Sequence, residues 1–232
     1  MSDSEGPKRA LIISAHPDDS EFGAAGTSYL WTKEGWEFYY LICTDGSKGS
    51  EDPDMTREVL VPLRQKEQKA AADTLGVKEV FFLDNVDGEL TYNQDFMRDV
   101  VRYIRRIKPY AVFSHDPNHI VRNMFINHPD HRAAGSVALD AVYPMARNRP
   151  SFPELIAEGL EPYSTREVYL WTATDTNFEV DITDALDKKF EALACHESQI
   201  NDMDGMKERL LQFWRDPDGR FLERFRRIQL PF

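Results

Sequence analysis

Short, wholly apolar runs recur along this chain with helical patterning between them, and that alternation limits the available folds more than any other feature. The runs are RALIISA (9–15), FYYLICT (38–44), EVFFL (79–83), YAVFSH (110–115), EVYLWTAT (167–174) and FEVDI (178–182). A strand apolar on both faces must be covered on both, which is the condition inside a parallel sheet. Helical spacing occupies 24–34, 62–76, 92–108 and 128–146. The second of these has Pro62 where a helix starts and Gly76 where one ends, and Pro109 stops the third. This β-α-β-α-β-α-β-α order over the first 146 residues predicts an α/β fold: a doubly wound, mostly parallel sheet with helices on both faces, Rossmann-like. Residues 147–166 hold Pro150, Pro153 and Pro162 with weak periodicity, which predicts a long loop or lid. From 183 onward the text is charged and helical, predicting a helical C-terminal tail. One domain is expected across 1–232, with its core over about 9–200 and a helical extension over about 201–232.

A chain of 232 residues can bury a substantial core. Its 28 basic and 40 acidic side chains leave a formal charge of −12, which argues against nucleic-acid or anionic-membrane partners. No stretch approaches the roughly 20 apolar residues of a membrane span. The opening MSDSEGPKRA is polar, so no signal peptide is expected. Cys43 and Cys195 lie in apolar or helical text and read as reduced thiols, which predicts a cytoplasmic protein. The basic run Arg102 to Lys108 alternates with apolar residues and predicts the solvated face of a helix.

In an open parallel sheet, ligands bind outside the carboxyl ends of the strands. HPDDSE follows the first apolar run, TDGSKGSEDPD the second and HDPNHIVRNMFINHPDH the fourth, so three polar clusters belong on one rim. In LIISAHPDDSEFGAAG (11–26), His16, Asp18, Asp19 and Glu21 gather where a strand ends. Like charges so close require a cation or hydrogen-bond donors. His16, Asp19 and a distant histidine make a set suited to Zn²⁺, and three protein ligands leave a fourth position for water. Other divalent ions are compatible with the same donors. A further carboxylate off the metal can take that water's proton. Adjacent Asp18 and Asp19 suit this division, but the spacing does not say which is which. In HPDH, Pro129 at a helix start puts His128 and His131 on one face. One can ligate while the other donates to an oxyanion, with Asp130 holding an imidazolium. His115 and His119 form a rival metal pair, although Pro117 breaks helical geometry between them.

AHPDDSEFGAAG resembles the signature of the LmbE-like, PIG-L type zinc deacetylases, which remove acetyl groups from N-acetylglucosaminyl compounds. HPDHRAAG matches the second motif of that family, TDGSKG resembles its glycine loop, and DITDALDKKFEALACHESQ resembles its C-terminal segment. The resemblance implies that His16, Asp19 and His131 bind zinc and that Asp18 is the general base. It implies that His128 stabilises the oxyanion or protonates the leaving amine, with Asp130 as its partner. Arg64 and His196 are implied to meet substrate. The implied reaction releases acetate from a small N-acetylated amino sugar or its conjugate, in a homo-oligomer, trimer or hexamer. Glu21 reads as an outer hydrogen-bond partner.

Other classes stay open. One is a metal-dependent amidase acting on a non-sugar or thiol-conjugate amide. Another is a non-catalytic zinc- or sugar-binding protein, against which the second aspartate argues. A dinucleotide-binding oxidoreductase would share the fold, but the first strand–helix turn lacks G-x-G-x-x-G and is acidic.

Overall fold

A computed structural model describes residues 6–122 and 125–231; residues 1–5 of the polar opening lie outside them. In chain order the elements are β1 (Arg9–Ser14), α1 (Asp19–Lys33), β2 (Glu37–Thr44), α2 (Arg57–Leu75), β3 (Glu79–Asn85), α3 (Gln94–Ile107) and β4 (Ala111–His115). A short hairpin follows, β5 (Val121–Arg122) and β6 (Phe125–Ile126), then α4 (Pro129–Asp140) and α5 (Pro153–Ala157). The chain ends with β7 (Glu167–Trp171), β8 (Phe178–Asp181), α6 (Leu186–Ala194), α7 (Met203–Trp214) and β9 (Leu222–Gln229).

Among the described residues, seven strands form one sheet in the order β3-β2-β1-β4-β7-β9-β8. The five from β3 to β7 pair in parallel, and β9 is antiparallel to both β7 and β8. The fully apolar strand text has the expected cause, since β1 is covered on both faces. Its Leu11 and Ile13 pack among α3 and α4 residues, while Ala10 and Ile12 pack among those of α1 and α2. The strand order reverses between β1 and β4, and such a switch point is where an open sheet leaves a crevice at its carboxyl rim. Gly135 lets α4 press against that crevice, because a Cβ there would collide with the His115 carbonyl oxygen.

Three expectations need correction. The C-terminal tail is not wholly helical: α7 is followed by β9, which enters the sheet between β7 and β8. Leu222 and Phe225 are buried, and the charges that disguised the strand find partners, Arg224 on Glu179, Arg226 on Asp175 and Arg227 on Glu167. Glu223 is itself buried, accepting from the backbone N–H groups of Gly26 (2.9 Å) and Thr27 (2.8 Å) and from Lys189.

Residues 147–166 are not a lid over the rim. The backbone N–H of Arg166 donates to the Tyr110 carbonyl (3.0 Å), at the amino end of β4, so this segment lies at the opposite end of the sheet.

Nor is the basic run of α3 all solvated, because Arg105 is 1% exposed. Its guanidinium donates to the carbonyls of Ala146 (3.0 Å), Asn148 (3.0 Å), Ser151 (2.9 Å) and Met145 (3.3 Å), tying the 147–166 segment to α3. Arg105→Ala is expected to lower unfolding free energy by about 3–5 kcal/mol, since several buried carbonyls lose a charged donor at once. Urea denaturation checks this, and Arg105→Lys should recover little because an ammonium lacks the planar fork.

Two helices begin earlier than their spacing indicated. In α1 the first turn is the motif itself, and in α2 Pro62 lies inside the helix, which starts at Arg57.

Candidate active site

The chain leaves β1 and turns through His16 to Asp18 into α1. Asp18 stands at the N-cap with φ 100, a left-handed value that a residue with a side chain keeps only where its surroundings hold it. Its backbone N–H donates to Gln68 Oε1 (2.8 Å). Asp19 opens the helix, where negative charge meets the positive end of the dipole. Its Oδ2 accepts the His16 backbone N–H at 2.7 Å. Other loops of the same rim supply Asp87 after β3, His115 at the end of β4, and Asn127 to His131 at the head of α4.

Asp19 is the hub. Its Oδ1 lies 3.2 Å from His131 Nε2, and its Oδ2 lies 3.4 Å from His16 Nδ1 and 3.3 Å from His115 Nε2. Hydrogen bonds behind each ring assign its tautomer. His131 Nδ1 donates to Asn127 Oδ1 (2.9 Å), and Asn127 is oriented by donating from Nδ2 to the His119 carbonyl (2.8 Å). His16 Nε2 donates towards Asp130 Oδ2 (3.1 Å) and Asp87 Oδ1 (3.2 Å). Both rings therefore turn a lone pair towards a carboxylate. Acceptors facing one another at 3.2–3.4 Å repel unless positive charge, a proton or a metal ion, lies between them, and two imidazoles with a carboxylate form a donor set that suits a divalent cation.

His115 differs. The Trp171 Nε1–H can only donate, so His115 Nδ1 accepts it (3.1 Å) and Nε2 carries the proton towards Asp19. The Ala15 N–H also lies 3.3 Å from Nε2, and the anionic carboxylate is the stronger partner. His115 has no lone pair left for an ion and serves to orient Asp19.

One ligand atom from each residue comes within 4.8 Å of the others in three sets: His16, His128 and His131; His16, Asp87, His128 and Asp130; and Asp19, His115 and His131; none joins the expected His16, Asp19 and His131, which are linked through the two oxygens of Asp19. His119 joins none of them among the described residues.

The electrostatics separate the two aspartates. Burial would raise Asp19, but His131 and His115 beside it hold it well below the usual carboxylate range. Burial, and then the Asp19 charge, push Asp18 up to about 6 against Arg64, His196 and His16. Two neighbouring carboxyls driven apart in this way divide naturally into a permanent anion and a proton acceptor. Burial would lower His16, yet acceptance by Asp130, Asp19 and Asp87 pushes it up to about 12, so a metal ion on Nδ1 must displace a proton that the pocket also holds well. His128 caps α4 by accepting the Asp130 N–H on Nδ1 (3.2 Å), which leaves Nε2–H as its donor. Its ring is 40% exposed, open to a ligand.

A family model described as PIG-L, GlcNAc-PI de-N-acetylase, matches residues 11–142. The chain belongs to the PIG-L family. Diacetylchitobiose deacetylase of Thermococcus kodakarensis is 37% identical over 195 residues, covering 83% of this chain and 70% of that protein. The solved N,N'-diacetylchitobiose deacetylase of Pyrococcus horikoshii superposes with a TM-score of 0.87 at 30% identity, covering 96% of this chain and 84% of that one. A 4-carboxy-2-hydroxymuconate hydratase of Pseudomonas putida shares the fold, with a TM-score of 0.78 at 22% identity over 97% and 98% of the two chains.

Within this PIG-L scaffold, the geometry reassigns three residues. Asp130 was expected to serve His128, but its carboxylate is 3.9 Å from His128 Nδ1 and 3.1 Å from His16 Nε2. Fully buried and further held by the Gly88 (2.7 Å) and Leu90 (3.2 Å) N–H groups, it orients His16. Arg64 was expected on the substrate but is 3% exposed. It donates to the carbonyls of Gly46 (2.9 Å) and Pro17 (2.6 Å) and to Asp18 Oδ2 (3.1 Å), which makes it a positioning residue for Asp18. Gly46, with φ 66, is required there because a Cβ would meet the guanidinium.

His196 was also expected at the substrate, yet it is fully buried, with Nε2 3.1 Å from Glu21 Oε2. Glu21 in turn accepts from Gln68 Nε2 (3.0 Å), whose Oε1 holds the Asp18 backbone. His196→Ala removes the partner of a buried carboxylate and is expected to cost about 3–5 kcal/mol of stability. Burial lowers the His196 imidazole, but the Glu21 hydrogen bond and charge raise it above its ordinary value. Its contribution is therefore complete below about pH 6.5, the unfolded value, and is lost as pH rises through the higher folded value. Urea denaturation at acid and alkaline pH should find the gap between wild type and His196→Ala narrowing in alkali.

Sequence reading missed Asp87, Asn127 and Gln68. Asp87 had an available signal, since VDGEL follows the third apolar run and so shares the rim. Asn127 and Gln68 had none, because each acts only through contacts between distant segments.

Proposed function

We propose that this chain is a metal-dependent hydrolase that removes the acetyl group from an N-acetylglucosamine-type amino sugar or its conjugate, releasing acetate. The observation that carries this reading is the pair of ring lone pairs turned on Asp19, beside a second carboxylate, Asp18, whose proton affinity is raised. His16, Asp19 and His131 would hold zinc or another divalent ion. Such an ion supplies a water of lowered pKa and polarises a carbonyl. Asp18, steadied by Arg64, accepts the proton of the attacking water. His128 Nε2–H donates to the tetrahedral oxyanion, and the proton then reaches the departing nitrogen from Asp18 or His128.

A homo-oligomer, trimer or hexamer, belongs to this proposal. Val121 and Ile126 of the β5–β6 hairpin, 62% and 73% exposed beside the site, are apolar surface that association would cover. Among the described residues no helix is long and apolar enough to cross a membrane, and both cysteines are free. A cytoplasmic location and a single domain complete the reading.

The test is amine and acetate release from a panel of N-acetylated amino sugars, sugar conjugates and non-sugar amides, before and after chelation and zinc restoration. Metal-dependent release from the sugars supports the reading. Release from non-sugar amides alone moves the chain to the amidase class. A metal-loaded protein that binds acetylated sugars and turns over none overturns the hydrolase reading.

A further inference from the structure

The rim changes character across the cluster. On the β3 side the charged Asp87 and Asp130 stand with His128, whose ring is 40% exposed. On the β7–β9 side, a cavity of about 680 Å³ opens directly from Asp19 and His131. Its walls are mostly apolar, with Phe22, Trp171, Leu210, Phe213, Trp214 and Leu222 among them beside Asn127 and the threonines Thr172, Thr174 and Thr176. That volume is in the range of small-molecule pockets, which bury most of their ligand. The charged groups at its edge are already engaged, Glu223 by Lys189 and Arg224 by Glu179.

An amide cleaved at the cluster has two substituents on its carbonyl carbon, and these diverge. A hydroxylated amine portion suits the charged side, so the acyl portion is directed to the apolar one. We infer that the β7–β9 cavity receives the acyl chain of the substrate, and that the chain hydrolyses amino sugars carrying N-acyl groups longer than acetyl. This rests on the hydrolase reading above. Water's oxygen bonds to the acyl carbon, the C–N bond breaks, the nitrogen takes the proton, and a medium-chain carboxylic acid leaves with the free amine.

The experiment compares zinc-loaded protein on N-acetylglucosamine, N-octanoylglucosamine and octyl N-acetylglucosaminide, measuring amine release. N-octanoylglucosamine is expected to exceed N-acetylglucosamine in kcat/KM by at least about 10-fold, as buried methylenes add up. Phe213→Ser and Leu210→Ser, tested separately, should each reduce that octanoyl-to-acetyl ratio several-fold. Octanoate, the product acid, should quench the fluorescence of the cavity tryptophans Trp171 and Trp214 where acetate does not, a readout independent of turnover. Equal rates on the two free sugars without quenching overturn the inference and leave the deacetylase standing. A gain confined to the octyl glycoside also overturns it, because the apolar group would then lie on the amine side. No amine from any of the three overturns the hydrolase reading, and this inference with it.

Discussion

Asp18→Asn is expected to lower kcat by about 10²–10⁴, the usual contribution of a positioned general base, with zinc content unchanged. The asparagine keeps the size of the side chain and can still accept from Arg64 Nη2, now 3.1 Å from Asp18 Oδ2. What it loses is the ability to take a proton. The Asp18 carboxylate is turned to Arg64, whereas Asp19 lies 3.2 Å from His131 and 3.4 Å from His16. Metal analysis alongside steady-state kinetics checks both halves. Lost zinc would make Asp18 a ligand, and full turnover would remove it from the chemistry.

The second large effect is a contrast between two histidines of one turn. His131→Ala should weaken zinc binding by more than about 100-fold, beyond what losing a mere outer partner costs, and abolish turnover with it. His128→Ala should retain zinc while kcat falls by about 10²–10³, as when one oxyanion donor is removed. The reason is the use of each ring's second nitrogen. Asn127 holds His131 Nδ1–H, leaving Nε2 its lone pair, whereas His128 Nδ1 accepts the Asp130 N–H and keeps Nε2–H to donate. Competition with a zinc chromophore separates the two. Equal zinc loss in both variants would make His128 a ligand as well.

How far the site was legible follows from which contacts are local. His16, Asp18 and Asp19 lie within four residues at a strand end, and Asp130 and His131 open a helix, so their gathering on one rim follows from alternation and strand direction. The partners they choose do not. Asp130 lies two residues from His128 yet serves His16, 114 residues away, because the Gly88 and Leu90 N–H groups pin its carboxylate on that side. His115 was a rival ligand in the sequence, and only Trp171, 56 residues on, fixes its tautomer and removes it from contention. Likewise β9 carried too many arginines to read as a sheet strand until Glu167, Asp175 and Glu179 were found opposite them.

By itself, the sequence determined the alternating elements of the first 146 residues, the parallel sheet and the rim on which the polar clusters gather, because hydrophobic periodicity and chain direction are local properties. Only the tertiary structure decided which aspartate stays anionic, which histidines keep a lone pair, and that one side of the rim is apolar. Those depend on burial and on hydrogen-bond partners brought from distant segments, and a proton goes to whichever nitrogen the surrounding fold leaves it.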